Sequence, residues 1–208
     1  MTKLRLFSML TLAGALLLPA SAAVAQGEST ESAASEAGMA AEDPRLVELG
    51  ALIPSALAGL PLDENLQLAT GEQLMSVMRP EEVAVLDELL AATDRTAADY
   101  AAAATALEVT AEQIVYIQAH RIAGVEAAET IDAWVDILSL SVGEPQVSED
   151  SVGGRPVTLM SDAANPEAPR LHMFPALDVV WMMWTDDEVL VGAAIDAVEA
   201  VGPEPPAG

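Results

Sequence analysis

The chain has 208 residues, 33 acidic and 8 basic, for a formal net charge of −25, with no cysteine, 52 % apolar residues and 3 % aromatics. The positive field of a nucleic-acid binder is absent, and so are the thiols of a disulfide scaffold or a cysteine-ligated metal site. Wholly disordered chains are far less apolar, so a folded domain is expected.

Residues 1–25 read as a secretory signal peptide. Lys3 and Arg5 form a positive start, Leu6 to Leu18 is mostly apolar, Pro19 breaks the run and Ala23-Val24-Ala25 is an A-x-A cleavage site. The apolar run is too short for the roughly 20 residues a spanning helix needs, and no second long apolar stretch follows. Without a cysteine there is no N-terminal lipid anchor. Removing 25 of 208 residues leaves 183, with six arginines, no lysine and a formal charge of −27. Schiff-base chemistry and a P-loop lysine are thereby excluded from the mature chain.

Residues 26–43 (QGESTESAASEAGMAAED) form a flexible acidic spacer by composition, and the Pro- and Gly-rich 202–208 a disordered tail. Residues 44–201 are then a single domain, large enough to bury a core unaided. Within it, Leu60, Leu62, Leu66 and Leu68 alternate with Asp63, Asn65 and Gln67, predicting a half-buried strand over 60–69. Pro80-Glu81-Glu82 opens a helix with the apolar face Val83, Leu86, Leu89 and Leu90. Residues 99–107 stay open, because alanine favours helix while the flanking turns allow a strand.

The β-branched 113–122 is a strand, ended by Gly124. Helix 125–140 carries Ala128, Ile131, Trp134, Val135 and Leu138 at three- and four-residue spacing. A hairpin follows, 145–152 and 155–161, turning at Gly153-Gly154. Residues 163–176 read as a loop around a short extended piece, Leu171 to Phe174. Strand 178–185 is apolar on both faces, as a central strand is. Asp186-Asp187 turns the chain into a strand over 188–193, and a helix over 194–201 closes the domain. The order is not a regular βα alternation. It predicts an α+β fold, a mainly antiparallel sheet with helices packed on one face.

These pieces carry a resemblance. Leu52-Ile53-Pro54 leading through Gly59 into Leu60-Pro61-Leu62, Arg121-Ile122-Ala123-Gly124-Val125, Val152-Gly153-Gly154-Arg155-Pro156-Val157 and the closing Asp187-Glu188-Val189-Leu190-Val191 are similar to a group of uncharacterised secreted bacterial proteins, many of them lipoproteins. The matching pieces cover most of 50–200. The resemblance implies an α+β domain outside the cytoplasm and no known activity. The chain departs from the group in lacking the lipid-anchor cysteine and in a long 163–176 loop.

The chemistry is sparse. No Gly-x-Ser-x-Gly elbow occurs, so a hydrolase would need a serine with His120 or His172. Tyr116, Gln118 and His120 share one strand face by period two and are the candidate ligand-binding row, against a solvated sheet face as the plainer reading. His172 with Met160, Met173, Met182 and Met183 has the soft donors copper uses, but methionines at 182 and 183 point to opposite faces, so core packing is favoured. No EF-hand loop occurs. The best oxygen clusters for calcium are Asp186, Asp187 and Glu188 at a turn, and Asp162, Asn165 and Glu167 in the long loop. Glu129, Asp132 and Asp136 form one helix stripe, read as its solvated face.

No cofactor is expected. The charge fits either a saline habitat, where screening relieves self-repulsion, or a cationic partner. The reading carried forward is a secreted, non-catalytic binding or interaction module for a protein or small ligand. The alternatives are a calcium- or cation-responsive acidic domain and an extracytoplasmic hydrolase.

Overall fold

The computed structural model describes residues 43–62, 66–110 and 113–201. The residues read as a leader and as a tail, and most of those read as an acidic spacer, lie outside the described residues. The described domain is α+β, as expected. Seven strands form one sheet in the order β3-β4-β5-β9-β8-β7-β6, every neighbouring pair antiparallel. They are β3 (Gln67–Thr70), β4 (Tyr100–Thr110), β5 (Gln113–Ile122), β6 (Pro145–Val152), β7 (Arg155–Asp162), β8 (Leu171–Ala176) and β9 (Val179–Trp184). A two-stranded ribbon, β1 (Ala56–Leu57) and β2 (Leu60–Pro61), stands apart. Among the described residues, no helix is long and apolar enough to cross a membrane.

The expected strand over 60–69 is two pieces. Leu60–Pro61 closes the ribbon, through Ala58 and Gly59 at φ 50° and 80°, and Gln67–Thr70 is an edge of the main sheet. Asp63 and Asn65 lie outside the described residues. Thr70 then stops the strand by capping helix α2 (Gly71–Met75) in a reciprocal box with Gln73. Helix α1 (Pro44–Leu52), not anticipated from sequence, starts on Asp43, whose carboxylate accepts the Arg45 N–H at 2.9 Å, with Pro44 at the first helical position. Helix α3 (Pro80–Ala92) begins at its proline and buries Leu86 and Leu90.

The alanine run is strand. Ala101 to Ala104 in β4 are fully buried, with Tyr100, Ala102 and Ala104 in one core and Ala101 and Ala103 in the other. Their small side chains let α1 settle on one face while large rings fill the other. Tertiary packing overrides the helix propensity of alanine here.

The Gly153-Gly154 hairpin is as expected, both glycines having positive φ. The stretch Leu171 to Phe174 extends into β8, a buried interior strand of the sheet, so the loop shrinks to its first half. The expected strand over 188–193 is instead the first part of helix α5 (Glu188–Val201). Asp187 decides this, because its Oδ1 accepts the N–H groups of Val189 at 2.9 Å and Leu190 at 3.3 Å. Leu190, Val191, Ala194, Ile195 and Val198 then bury at helical spacing.

The helices cover both faces of the sheet, rather than one. On one side α2, α3 and α4 (Ala127–Ser139) pack with Tyr100, Ile122, Met173 and Met182. On the other, α1 and α5 pack with Leu107, Ile117, Phe174 and Trp181. The cause is in β4, β5, β8 and β9, which alternate between two apolar faces and so need a cover on each.

Gly71 shows how tight the first side is. A Cβ there would stand 2.2 Å from the Ala97 carbonyl oxygen and 3.0 Å from the Tyr100 Cβ. The backbone of the turn over Ala97–Asp99 would have to move. Gly71→Ala is therefore expected to cost about 1–3 kcal/mol in chemical denaturation, against the gain alanine normally brings to a helix. A neutral or stabilising result would mean that this approach is looser than described.

Candidate functional site

The polar row predicted on β5 is not an open surface. Gln118 and His120 are 1 % and 2 % exposed, and only Tyr116 is half-buried. Register explains the burial. Ala102 and Ala104 of β4 stand beside His120 and Gln118, with Val180 and Met182 of β9 on the other flank, and α4 lies across the row. The Tyr100 hydroxyl donates to His120 Nδ1 at 2.7 Å, and His120 Nε2–H donates to Gln118 Oε1 at 3.2 Å. The Trp134 ring of α4 lies 4.4 Å from the imidazole and 5.7 Å from the Tyr100 ring.

Burial holds His120 neutral, with its pKa lowered to about 3, and pushes the Tyr100 phenol well above its ordinary value. The Gln118 amide nitrogen is buried without a hydrogen-bond partner among the described residues. This cluster is an internal strut that joins α4 to the sheet.

His172 is buried too, and desolvation lowers its pKa. Its Nε2 donates to the Thr185 carbonyl at 2.9 Å. It stands opposite Met183 on the α5 face, whereas Met160, Met173 and Met182 belong to the α4 core. The soft donors are divided between the two cores and fill both. Neither imidazole bonds a serine hydroxyl among the described residues; their partners are the groups just named.

The acidic turns do structural work. Asp187 caps α5, and Arg170 holds Asp186 at 3.1 Å and Glu188 at 3.8 Å. Asp162 Oδ1 accepts the N–H groups of Glu144 at 3.0 Å and Ala164 at 2.9 Å. Among the described residues, no group of three or more carboxylates or imidazoles is placed to hold a metal ion. The calcium expectation at Asp186, Asp187 and Glu188 thus lacks a convergent donor set. Glu129, Asp132 and Asp136 are exposed on the outer face of α4, as read from their spacing.

A concavity lies elsewhere on the same strands. A wide-mouthed cleft of about 680 Å³ opens where β5 begins, β9 ends and α5 starts. Ile114 and Val189, 47 % and 78 % exposed, line it together with Trp184, Pro169 and the Asp186–Glu188 turn. A narrower apolar gap past Pro169 and Trp184 leads toward Leu138, Met160 and Leu171. Tyr116 sits on the face that carries Trp184, one step outward from the Gln118–Met182 pair. Sequence reasoning named the acidic turn at the cleft but missed Ile114, Val189 and Trp184. Their signal was weak, since each reads locally as an ordinary strand residue.

The arginines of the described residues are already committed. Arg45 pairs with Asp43, Arg79 with Glu82, Arg121 with Glu48, Arg155 with Glu199 and Asp196, and Arg170 with Asp186. Arg95 reaches the Gly124 carbonyl at 3.5 Å. The acidic excess is left for solvent and for whatever approaches. No protein-family model, curated protein or solved structure matches the chain.

Proposed function

We propose that the chain is an exported, non-catalytic binding module, and that its contact site is the cleft between β5, β9 and the start of α5. One observation carries the reading: Ile114 and Val189, two of the large apolar side chains left exposed, line one concavity beside Trp184. Apolar surface gathered in a cleft with a polar rim is how ligand and partner sites are built. Export rests on the leader-like pattern of residues 1–25. The non-catalytic part is supported by the state of the histidines, which are buried, neutral and hydrogen-bonded to structural partners rather than to a nucleophile.

A neutral apolar dye tests the site without borrowing charge. Nile red is expected to bind the wild-type chain saturably. The double variant Ile114→Ser and Val189→Ser is expected to bind at least tenfold more weakly, with an unchanged melting temperature because both side chains are exposed. Undiminished dye binding by the variant would remove the cleft as the contact site.

A further inference from the structure

The sheet ends on β6, and no strand stands beyond it among the described residues. Pro145 to Ser151 are exposed throughout, giving roughly 20 Å of edge. The hairpin fixes which backbone groups look outward. Its turn is Gly153-Gly154, so Val152 and Arg155 bond each other across it. Bonded pairs alternate from there: Asp150 with Val157, Ser148 with Leu159 and Gln146 with Ser161. Val147, Glu149 and Ser151 therefore turn their N–H and C=O groups away from β7. Pro145 has no N–H, and the Ser151 N–H donates to Asp150 Oδ1 at 2.7 Å. Val147 and Glu149 keep both N–H and C=O open, and Pro145 and Ser151 keep their carbonyls open. An edge of this kind is a template for a further strand.

The side chains of this edge select what is added. Val147 and Glu149 lie on the sheet face that carries α4, because Val147 stands opposite Met160. Ser148 and Asp150 lie on the face that carries α5, opposite Leu159 and Val157. Among the described residues neither Glu149 nor Asp150 pairs with an arginine; Arg155, the arginine of this hairpin, is held by Glu199 and Asp196. Proline and charge guard an edge against its own kind. The registers that use the open groups best pair two copies about Ser148 or Glu149. Both set the two Glu149 carboxylates diagonal or opposite to each other, on chains of net charge −25. A second copy is thereby disfavoured, and a cationic strand is attracted.

We propose that the open edge of β6 receives, as an added antiparallel strand, an extended segment of a basic partner protein. The segment carries two successive cations, opposite Asp150 and Glu149, and then, two residues after the second, an apolar side chain opposite Val147. Main-chain hydrogen bonds to Val147 and Glu149 supply affinity in such strand addition, and the side chains supply selection. This surface is separate from the cleft, none of whose lining residues belongs to β6, so the proposal stands or falls independently of that site.

The test uses the full chain and blocked, dye-labelled hexapeptides, with binding read by fluorescence anisotropy. The reference probe is Thr-Arg-Lys-Thr-Val-Thr, aligned to run from Ser151 to Gln146. It is expected to bind roughly tenfold tighter than Thr-Ser-Ser-Thr-Val-Thr, with Thr-Glu-Glu-Thr-Val-Thr weakest. Backbone N-methylation of its lysine and valine, whose N–H groups face Glu149 and Val147, is expected to abolish binding. Backbone N-methylation of its arginine and middle threonine, whose N–H groups face away, is expected to leave binding intact. Amide exchange is expected to slow at Val147 and Glu149 and to stay unchanged at Ser148 and Asp150, which already bond β7. With Glu149→Lys and Asp150→Lys together, the preference is expected to reverse toward the glutamate peptide.

Equal binding of the reference and serine peptides would overturn the basic partner. Equal binding of the two methylated forms would overturn strand addition. If the doubly substituted chain fails to fold, the methylated peptides decide the matter on the wild type. A chain that is dimeric at the concentrations used, and made monomeric by Val147→Pro, would overturn the proposal in favour of a second copy. If no peptide binds, the proposal falls, whatever Nile red shows at the cleft.

Discussion

Replacing Trp134 with alanine is expected to lower stability by about 3–5 kcal/mol, the range for removing a buried large aromatic ring. The ring is 1 % exposed and is the part of α4 that touches both Tyr100 and His120. Its loss leaves a cavity over two short alanines, Ala102 and Ala104, which cannot collapse to fill it. For a domain of this size each kcal/mol moves the melting temperature by about 2–4 °C. Thermal unfolding followed by near-ultraviolet circular dichroism should therefore show a drop on the order of 10 °C. Trp134→Phe should lose much less. A cost below about 1 kcal/mol for the alanine variant would mean that α4 is not anchored through this ring.

The second large effect is on pH dependence. His120 has a folded pKa of about 3 against 6.5 for an unperturbed imidazole, and desolvation is the cause. Between these values the unfolded chain binds a proton that the folded chain refuses. Stability from this group is thus fully present above about pH 6.5 and is lost as pH falls toward 3, by about 1.4 kcal/mol for each pH unit. His172 acts in the same direction. Protonation of the carboxylates relieves the self-repulsion of the −25 chain and opposes the trend. The comparison of wild type with His120→Leu cancels that common term. The variant is expected to be less stable at neutral pH, because it strands the Tyr100 hydroxyl and the Gln118 carbonyl. Its denaturation free energy should nevertheless fall less steeply between pH 6.5 and 4. Parallel slopes for the two proteins would contradict a buried neutral imidazole.

Most of the fold was legible because its signals were local. The Gly153-Gly154 turn, the proline-started α3, the presence of α4 and the two-faced β9 each follow from a few neighbouring residues, although the buried stripe of α4 is Ala127, Thr130, Trp134, Ile137 and Leu138, with Ala128 exposed and Ile131 and Val135 half-buried at its margin. What was hidden depended on packing partners. The alanines of β4 carry no strand signal of their own, and become strand because α1 and the Tyr100–His120–Trp134 cluster need thin residues between them. Val189-Leu190-Val191 looks like a strand until Asp187 caps the helix. Period two correctly placed Tyr116, Gln118 and His120 on one face, but could not tell that a helix covers it. The cleft was illegible for a related reason. It exists because β9 stops short of the start of β5, a mismatch between strands whose paired residues, from His120↔Val180 to Ile117↔Met183, lie 60 to 66 positions apart in the chain.

The central claim is that the apolar contact site is this cleft and not another exposed patch. A photo-crosslinking benzophenone side chain in place of Val189 tests it directly in cells that produce the protein, with the same group in place of Val47 on α1 as comparison. Both positions are more than half exposed, at 78 % and 54 %, and only Val189 lines the cleft. The expected result is an adduct of one discrete mass from position 189, none from position 47, and loss of that adduct when Ile114→Ser is added. The same adducts from both positions, or none from position 189, would contradict the claim.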